Sequence, residues 1–344
     1  MRITFQPWGE SMAELLDVSR RAEAAGAETL WVQELHRSAT VTAAAVAGAT
    51  TTAKVGTGIA LAFTRSPMIT ALEALDIDEI SDGRFILGIG SGVQKLNEAW
   101  HNAQWGKPVA HIRETVRNVR QFWVSADEGS DIALDGDYEP MNIRGYERPF
   151  NQVRTDIPVY LAAMGPVMTR LAGEIGNGWI SHELCSPKFL AERVLPELQA
   201  GVDKVEGKSL DDVDVVVSAC CGVHPDLATA KRYVAGTVGF YASVRTYADF
   251  FEFHGLGEQQ QQVIEAFRAG RGADYLASEV SDEMVDALTM AGTRDQVAER
   301  IAAYEGIADA VKLSAPVHGM TPAEIRAAQD ELISMIADMK GSIS

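Results

Sequence analysis

Short β-prone runs and helical stretches alternate along the chain. Ile3–Phe5 opens with a strand pattern, and Ser11-Met-Ala-Glu14 follows as a capping box, in which Ser and Glu three residues apart satisfy each other's free amide donors. The helix it starts runs to about Ala25, where Gly26 ends it. Thr29–Val32 reads as a strand and Thr40–Thr52 as an Ala-rich helix. Val55–Phe63 is a strand carrying Gly56 and Gly58, and Pro67 opens a helix to about Ser81. Arg84–Ile89 is a strand that runs into the glycines 88, 90 and 92. A helix covers His111–Trp123, after which residues 125–152 lose helical period and fill with turn formers. Pro158–Ala162, Val167–Ile175 and Gly178–Ser181 resume strand, helix and strand. Pro187–Glu206 predicts a helix bent at Pro196, and the β-branched run Val213–Val223 a strand buried on both faces. A helix follows Pro225, and residues 240–285 are mostly helical. Thr293-Arg-Asp-Gln296 caps another helix, Val311–Ser314 is a strand, and Thr321-Pro-Ala-Glu324 caps the last helix.

This gives eight strand candidates, nearly all followed by a helix. Parallel strands need crossover helices, so the pattern predicts a closed (β/α)8 TIM barrel, with an open doubly wound sheet as the alternative. An open sheet of that kind begins with a Gly-rich turn after its first strand, whereas here Gln6-Pro7-Trp8-Gly9 follows. Residues 1–344 are read as one domain with inserted excursions at about 125–152 and 240–285.

Composition narrows the function. With 47% hydrophobic and 23% charged residues the chain is an ordinary globular one. Its formal net charge of −18 argues against nucleic acid or an anionic membrane as a partner, while leaving room for one local basic pocket. The start, MRITFQPWGE, lacks the basic-then-apolar order of a signal peptide, and Lys54 with Gly56 and Gly58 breaks the most apolar window, 41–63, so a cytoplasmic protein is expected. Three cysteines, Cys185, Cys220 and Cys221, with no C-x-x-C, predict neither a disulfide framework nor a metal site.

Common signatures fail. Val93 stands where a dinucleotide fingerprint needs its third glycine, and Val202 where a P-loop ending in Gly207-Lys208-Ser209 needs its first. His182-Glu183 has no second ligand a turn away, and no G-x-S-x-G elbow occurs. What stands is a set of residues just past strand C-termini, the side of a βα barrel where active sites are built. These are Gln33, Glu34 and His36; Thr64 and Arg65; Gln94, Asn97, Glu98 and His101; Ala163-Met-Gly-Pro166; and His182 with Glu183. The turn 163–166 leads straight into a helix, whose N-terminus suits a phosphate.

Three segments resemble the luciferase-like monooxygenase superfamily, in particular its branch dependent on the deazaflavin coenzyme F420. They are Ala22–Glu34, Val55–Pro67 with its continuation Ile80–Gly92, and Pro158–Pro166 with its continuation to Gly178; the likeness returns near Ala291–Ala315 and is weak over 240–285. The resemblance implies a barrel with insertions, often a homodimer, with a flavin or deazaflavin across its C-terminal mouth. It implies a non-prolyl cis peptide at Gly58–Ile59 behind the ring, backbone amides of Ala163, Met164 and Gly165 on the cofactor phosphate, Asn97 on the ring and Glu34 near the ring edge. The implied cofactor contacts are Glu34, Gly58, Ile59, Leu61, Asn97, Ala162, Ala163, Met164, Gly165 and Asn177.

Two departures leave the acid/base open among Glu34, His36 and His182. Leu35 separates Glu34 from His36, where many members have the His directly after the acid, and Val93-Gln94 replaces a common Glu. The implied activity is hydride transfer between the deazaflavin C5 and a small organic substrate. An FMN-dependent two-component monooxygenase and a cofactor-binding protein without turnover are the alternatives. The substrate-facing segments are expected at Gln6–Gly9, after the fourth strand and within 240–285.

Overall fold

The computed structural model describes residues 1–343 and realises the predicted alternation. The first half runs β1 (Arg2–Gln6), α1 (Met12–Ala25), β2 (Thr29–Val32), α2 (Ala39–Ala49), β3 (Lys54–Thr57), β4 (Ala60–Leu61), α3 (Pro67–Ser81), β5 (Phe85–Gly90), α4 (Gln94–His101) and α5 (Pro108–Glu128). After it come β6 (Ile132–Leu134), β7 (Met141–Ile143), β8 (Val159–Ala162), α6 (Pro166–Ile175) and β9 (Gly178–Ile180). Then follow α7 (Pro187–Phe189), α8 (Leu195–Val202), β10 (Asp214–Val223), α9 (Leu227–Ala242), α10 (Ala248–Phe253), α11 (Gly257–Arg268) and α12 (Asp282–Leu288). The chain ends with β11 (Met290–Gly292), α13 (Arg294–Ala302), β12 (Ala310–Ser314) and α14 (Pro322–Ile343).

The main sheet runs β11-β10-β12-β1-β2-β3-β5-β8-β9, and β9 also pairs with β10, so the order returns on itself. The result is a closed eight-stranded parallel barrel with flanking helices. Register is continuous where the first strand meets the last, with Arg2 opposite Ala310 and Gln6 opposite Ser314. By contacts the chain forms two compact units, one of Met1–Ala27, Ser181–Leu195 and the chain from Val215 onward, the other of Glu28–Ile180 and Pro196–Asp214. In the first unit Phe5, Val217, Leu313 and Phe251 are fully buried; in the second, Leu30, Phe85, Ile89 and Phe122 are.

The caps explain why the helices start and stop where they do. Thr293 and Gln296 form a complete capping box, and Thr321 with Glu324 does the same at α14. The Ser11 box is only half made: Ser11 Oγ accepts from Glu14 N, but the Glu14 carboxylate takes Glu10 N and is held by Arg326. Gly26 ends α1 at φ 109°, where its N–H reaches Ala22 O and Glu23 O.

Several boundaries differ from the sequence reading. The third strand is broken into β3 and β4. The helix expected at 111–123 extends to Pro108–Glu128, and the excursion after it is an antiparallel hairpin of β6 and β7. The bend expected at Pro196 is a π-helical turn at Leu190–Val194, just before a proline that has no amide hydrogen to give. Residues 94–101 are a helix, and β11 is an added strand on β10.

Candidate functional site

In the unit of Glu28–Ile180 and Pro196–Asp214, the break between β3 and β4 organises one cluster. The Gly58–Ile59 peptide bond is cis. Gly58 N donates to Val32 O at 2.6 Å, and Glu34 N donates to Ile59 O at 3.0 Å. The Glu34 carboxylate reaches back to the same segment: Oε2 accepts from Leu61 N at 2.8 Å and from Arg65 Nη1 at 2.9 Å, and Oε1 accepts from Arg65 Nη2. Glu34 thus grips the bulge from both sides. Burial pushes its carboxyl upward, but the Arg65 and Leu61 donors and the Arg65 charge outweigh that and hold it below the usual carboxylate range. Arg65 Nε also lies 3.2 Å from Glu73 Oε2. Burial raises the Glu73 carboxyl, with Arg65 opposing.

The two strand glycines have different reasons. A Cβ on Gly56 would fall 2.3 Å from the Trp31 ring, so Gly56 makes room for a buried tryptophan. A Cβ on Gly58 would meet Trp31 at 3.3 Å, a tight contact but no collision, and this is the glycine on the cis bond.

Asn97, on α4, is fully buried. Its Nδ2 donates to Ser91 O at 2.7 Å and Val93 O at 3.0 Å, while its Oδ1 is buried without a hydrogen-bond partner. A buried acceptor left alone is costly, so this oxygen fits a ligand that brings an N–H. The turn from β8 to α6 offers a second binding element. Trp179 Nε1 pins Ala163 O at 2.9 Å, Thr169 N and Oγ1 both donate to Gly165 O at 3.0 Å, and Gly165 caps α6 with no side-chain contribution. Nothing lies within 4 Å of where a Gly165 Cβ would stand, which leaves space for a ligand to approach the helix N-terminus.

Asn177 stands apart. It precedes β9, beside the first residue of β8, and its Oδ1 accepts from Val159 N at 3.0 Å and Arg120 Nη2 at 2.8 Å. These are the N-terminal strand ends, opposite the 163–165 turn, so Asn177, expected as a cofactor contact, lies away from that turn. His36 is exposed in the loop between β2 and α2.

In the other unit, His182 and Glu183 follow β9. His182 Nδ1 accepts from Leu184 N at 3.2 Å, which assigns the ring proton to Nε2. That atom is buried without a hydrogen-bond partner, among the rings of Tyr241, Tyr247 and Phe250 at centroid distances of 5.7, 5.5 and 4.8 Å. Burial first, and His254 second, lower the imidazole to about 3, so it is neutral at working pH. Glu183 Oε1 accepts from Ser314 Oγ at 3.0 Å. A cavity of about 180 Å³ in this unit is lined by Glu183, Cys185, Tyr304 and the end of α12. Among the described residues no group of three or more His, Cys, Asp or Glu could hold a metal ion, and no helix is long and apolar enough to cross a membrane.

Residues 3–310 match the luciferase-like monooxygenase family. The chain belongs to that family. Among its relatives is a 5,10-methylenetetrahydromethanopterin reductase of Archaeoglobus fulgidus, 32% identical over 287 residues, covering 81% of this chain and 82% of the reductase. The reductase of the same name from Methanolobus tindarius is 30% identical over 303 residues, covering 87% and 88%. The solved structure of the coenzyme F420-dependent tetrahydromethanopterin reductase of Methanopyrus kandleri superposes with a TM-score of 0.79 at 24% identity, covering 98% of both chains.

Of the residues that the resemblance assigns to the cofactor, Glu34, Gly58, Ile59 and Leu61 lie together at the break between β3 and β4, and Asn97 lies on α4 in the same unit. Arg65 stands among the rim residues of the sequence, but its pairing with Glu34, 31 positions away, was not legible there. The sequence reading missed Lys312, whose signal was visible: a lysine in the apolar strand Ala310-Val-Lys-Leu-Ser314, where all five residues are buried.

Proposed function

We propose that the protein is an F420-dependent oxidoreductase that moves hydride between the deazaflavin C5 and a small organic substrate. The observation that carries this reading is the orphaned Asn97 Oδ1, in the same unit as the open turn 163–165. Asn97 would accept an N–H of the ring, and the amides of Ala163, Met164 and Gly165 with the α6 N-terminus would hold its phosphate. When bound, the cofactor supplies the hydride carrier. Ile59 and Leu61 would back the ring, and Glu34, committed to Arg65 and Leu61 N, would position that backing. Within its own unit His182 keeps a proton on Nε2, and His36 is exposed on the loop after β2. A relative of Mycobacterium tuberculosis named as a putative coenzyme F420-dependent oxidoreductase, 30% identical over 322 residues, supports deazaflavin, and a structural neighbour solved with FMN supports the flavin alternative. We further propose a homodimer.

Parallel titration of the purified protein with oxidised F420 and with FMN tests the reading. Tight F420 binding followed by reduction or oxidation of the bound ring is the expected result. Tight binding of FMN alone favours a flavin monooxygenase, and F420 binding with no transfer to any acceptor favours a binding protein without turnover. Gly165→Trp should fold, because the added side chain starts in open space, yet lose F420 affinity by about 100-fold, as two charge-assisted hydrogen bonds to phosphate would cost.

A further inference from the structure

Lys312 is 3% exposed, and its Nζ donates to Gln6 Oε1 at 2.9 Å. Gln6 ends β1 and is partly exposed, whereas Lys312 sits on β12 opposite Thr4, one strand layer deeper. A buried ammonium would ordinarily be paired with a carboxylate; here its hydrogen-bond partner is a neutral amide, and the Glu183 charge acts only from a distance, against the lowering effect of burial.

The chemistry of this pair fixes an orientation. An ammonium has three donors and no acceptor, so the Gln6 oxygen must face it. The two amide N–H donors of Gln6 then point away from Lys312. Neighbouring Ser314 has no donor to spare, since its hydroxyl lies 3.0 Å from Glu183 Oε1 and 3.1 Å from Ala219 O. The chain after Gln6 is also held: Gln329 accepts from Trp8 N at 2.7 Å and donates to Trp8 O at 3.2 Å. Gln6 is therefore a preorganised donor at the C-terminal end of a barrel strand, the side where such barrels bind substrates.

We propose that Gln6 is a specificity-determining residue: its amide N–H group, held outward by Lys312, binds a hydrogen-bond acceptor on the substrate, a carbonyl oxygen or an imine nitrogen. Lys312 is a positioning residue that acts through Gln6. The inference rests on the proposed function only in placing the substrate at the strand C-termini. A site built around a fixed donor accepts a group with a lone pair and rejects one of the same shape without it, because the donor would be left unpaired.

The test uses cyclohexanone and methylenecyclohexane, which share a shape and differ in the oxygen, as binding probes read by saturation-transfer NMR, with and without F420. Wild type should bind the ketone about tenfold more tightly, the worth of one hydrogen bond. Gln6→Glu, which keeps the volume but replaces both donors with an acceptor, should abolish the preference, as should Gln6→Leu. Lys312→Met should reduce it at least threefold, because the amide is then free to turn, and adding Lys312→Met to Gln6→Leu should cost nothing more. An unchanged preference in Gln6→Glu overturns the proposal. A lowered Tm with unchanged preference in Lys312→Met overturns the role given to the lysine. F420 binding without any ketone preference in wild type sinks this inference and spares the proposed function; a preference without F420 binding does the reverse.

Discussion

At the scale of single residues, one ion pair explains why the β3–β4 break holds its shape. Glu34 and Arg65 have side chains only 10% and 16% exposed, joined through both carboxylate oxygens. Removing one partner strands the other charge in a poorly solvated place. Arg65→Met should therefore lower stability by about 3–5 kcal/mol in chemical denaturation, far beyond the effect of a surface pair. Arg65→Lys should recover only part of this, because an ammonium cannot serve both oxygens in the plane. His182 makes a second prediction. Its folded pKa, about 3, lies below the ordinary imidazole value of 6.5, so the unfolded chain takes protons that the folded one refuses. Its contribution to stability should fall as pH drops below about 6.5, by up to about 1.4 kcal/mol per pH unit. His182→Phe, which keeps the aromatic packing, should lose less Tm than wild type between pH 7 and 4.5; equal losses would show that other groups govern acid sensitivity.

At the scale of elements, the interlock of β3 with β5 is the most demanding. Thr57 Oγ1 donates to Gly88 O at 2.7 Å and accepts from Gly88 N at 2.9 Å. A Cβ on Gly88 would stand 1.8 Å from Thr57 O, and that neighbour is backbone, which cannot swing away. Gly88→Ala should cost at least about 1–3 kcal/mol, while Gly165→Ala, with open space around it, should leave Tm nearly unchanged. Most elements were legible from sequence because their signals are local. Period, capping pairs and punctuating Gly and Pro set α1, α3, α13 and α14. The break in the third strand was legible only through likeness to known barrels, since nothing in Val55–Phe63 by periodicity alone separates β3 from β4. α4 was illegible because only Asn97 of its eight residues is buried, so it has no apolar stripe to show. The Gln6–Lys312 pair was illegible for a different reason: the partners are 306 positions apart, and only closure of the barrel brings them together.

At the scale of the whole molecule, the strand order supplies the framework and the strand ends supply the chemistry. The polar groups discussed above are spread over many different loops, as expected when function is grafted on a fold whose stability lies elsewhere. Because no cluster of metal-ligating residues occurs among those described, catalysis should survive prolonged dialysis against EDTA with kcat within about twofold. Loss of activity that a divalent ion restores would require ligands from outside this chain's described residues.

The register between β1 and β12 has a consequence in time. β1 is made before every other strand of the barrel, yet one of its two neighbours in the sheet is β12, matched residue for residue from Arg2–Ala310 to Gln6–Ser314. At a synthesis rate of ~5–20 residues per second, the roughly 300 residues between them take about 15–60 s to appear. Throughout that interval the nascent chain carries an unmated strand edge, bearing Phe5, which is wholly buried once the ring closes. A chain stopped short of β12 should therefore leave this edge of β1 open to pairing with another strand.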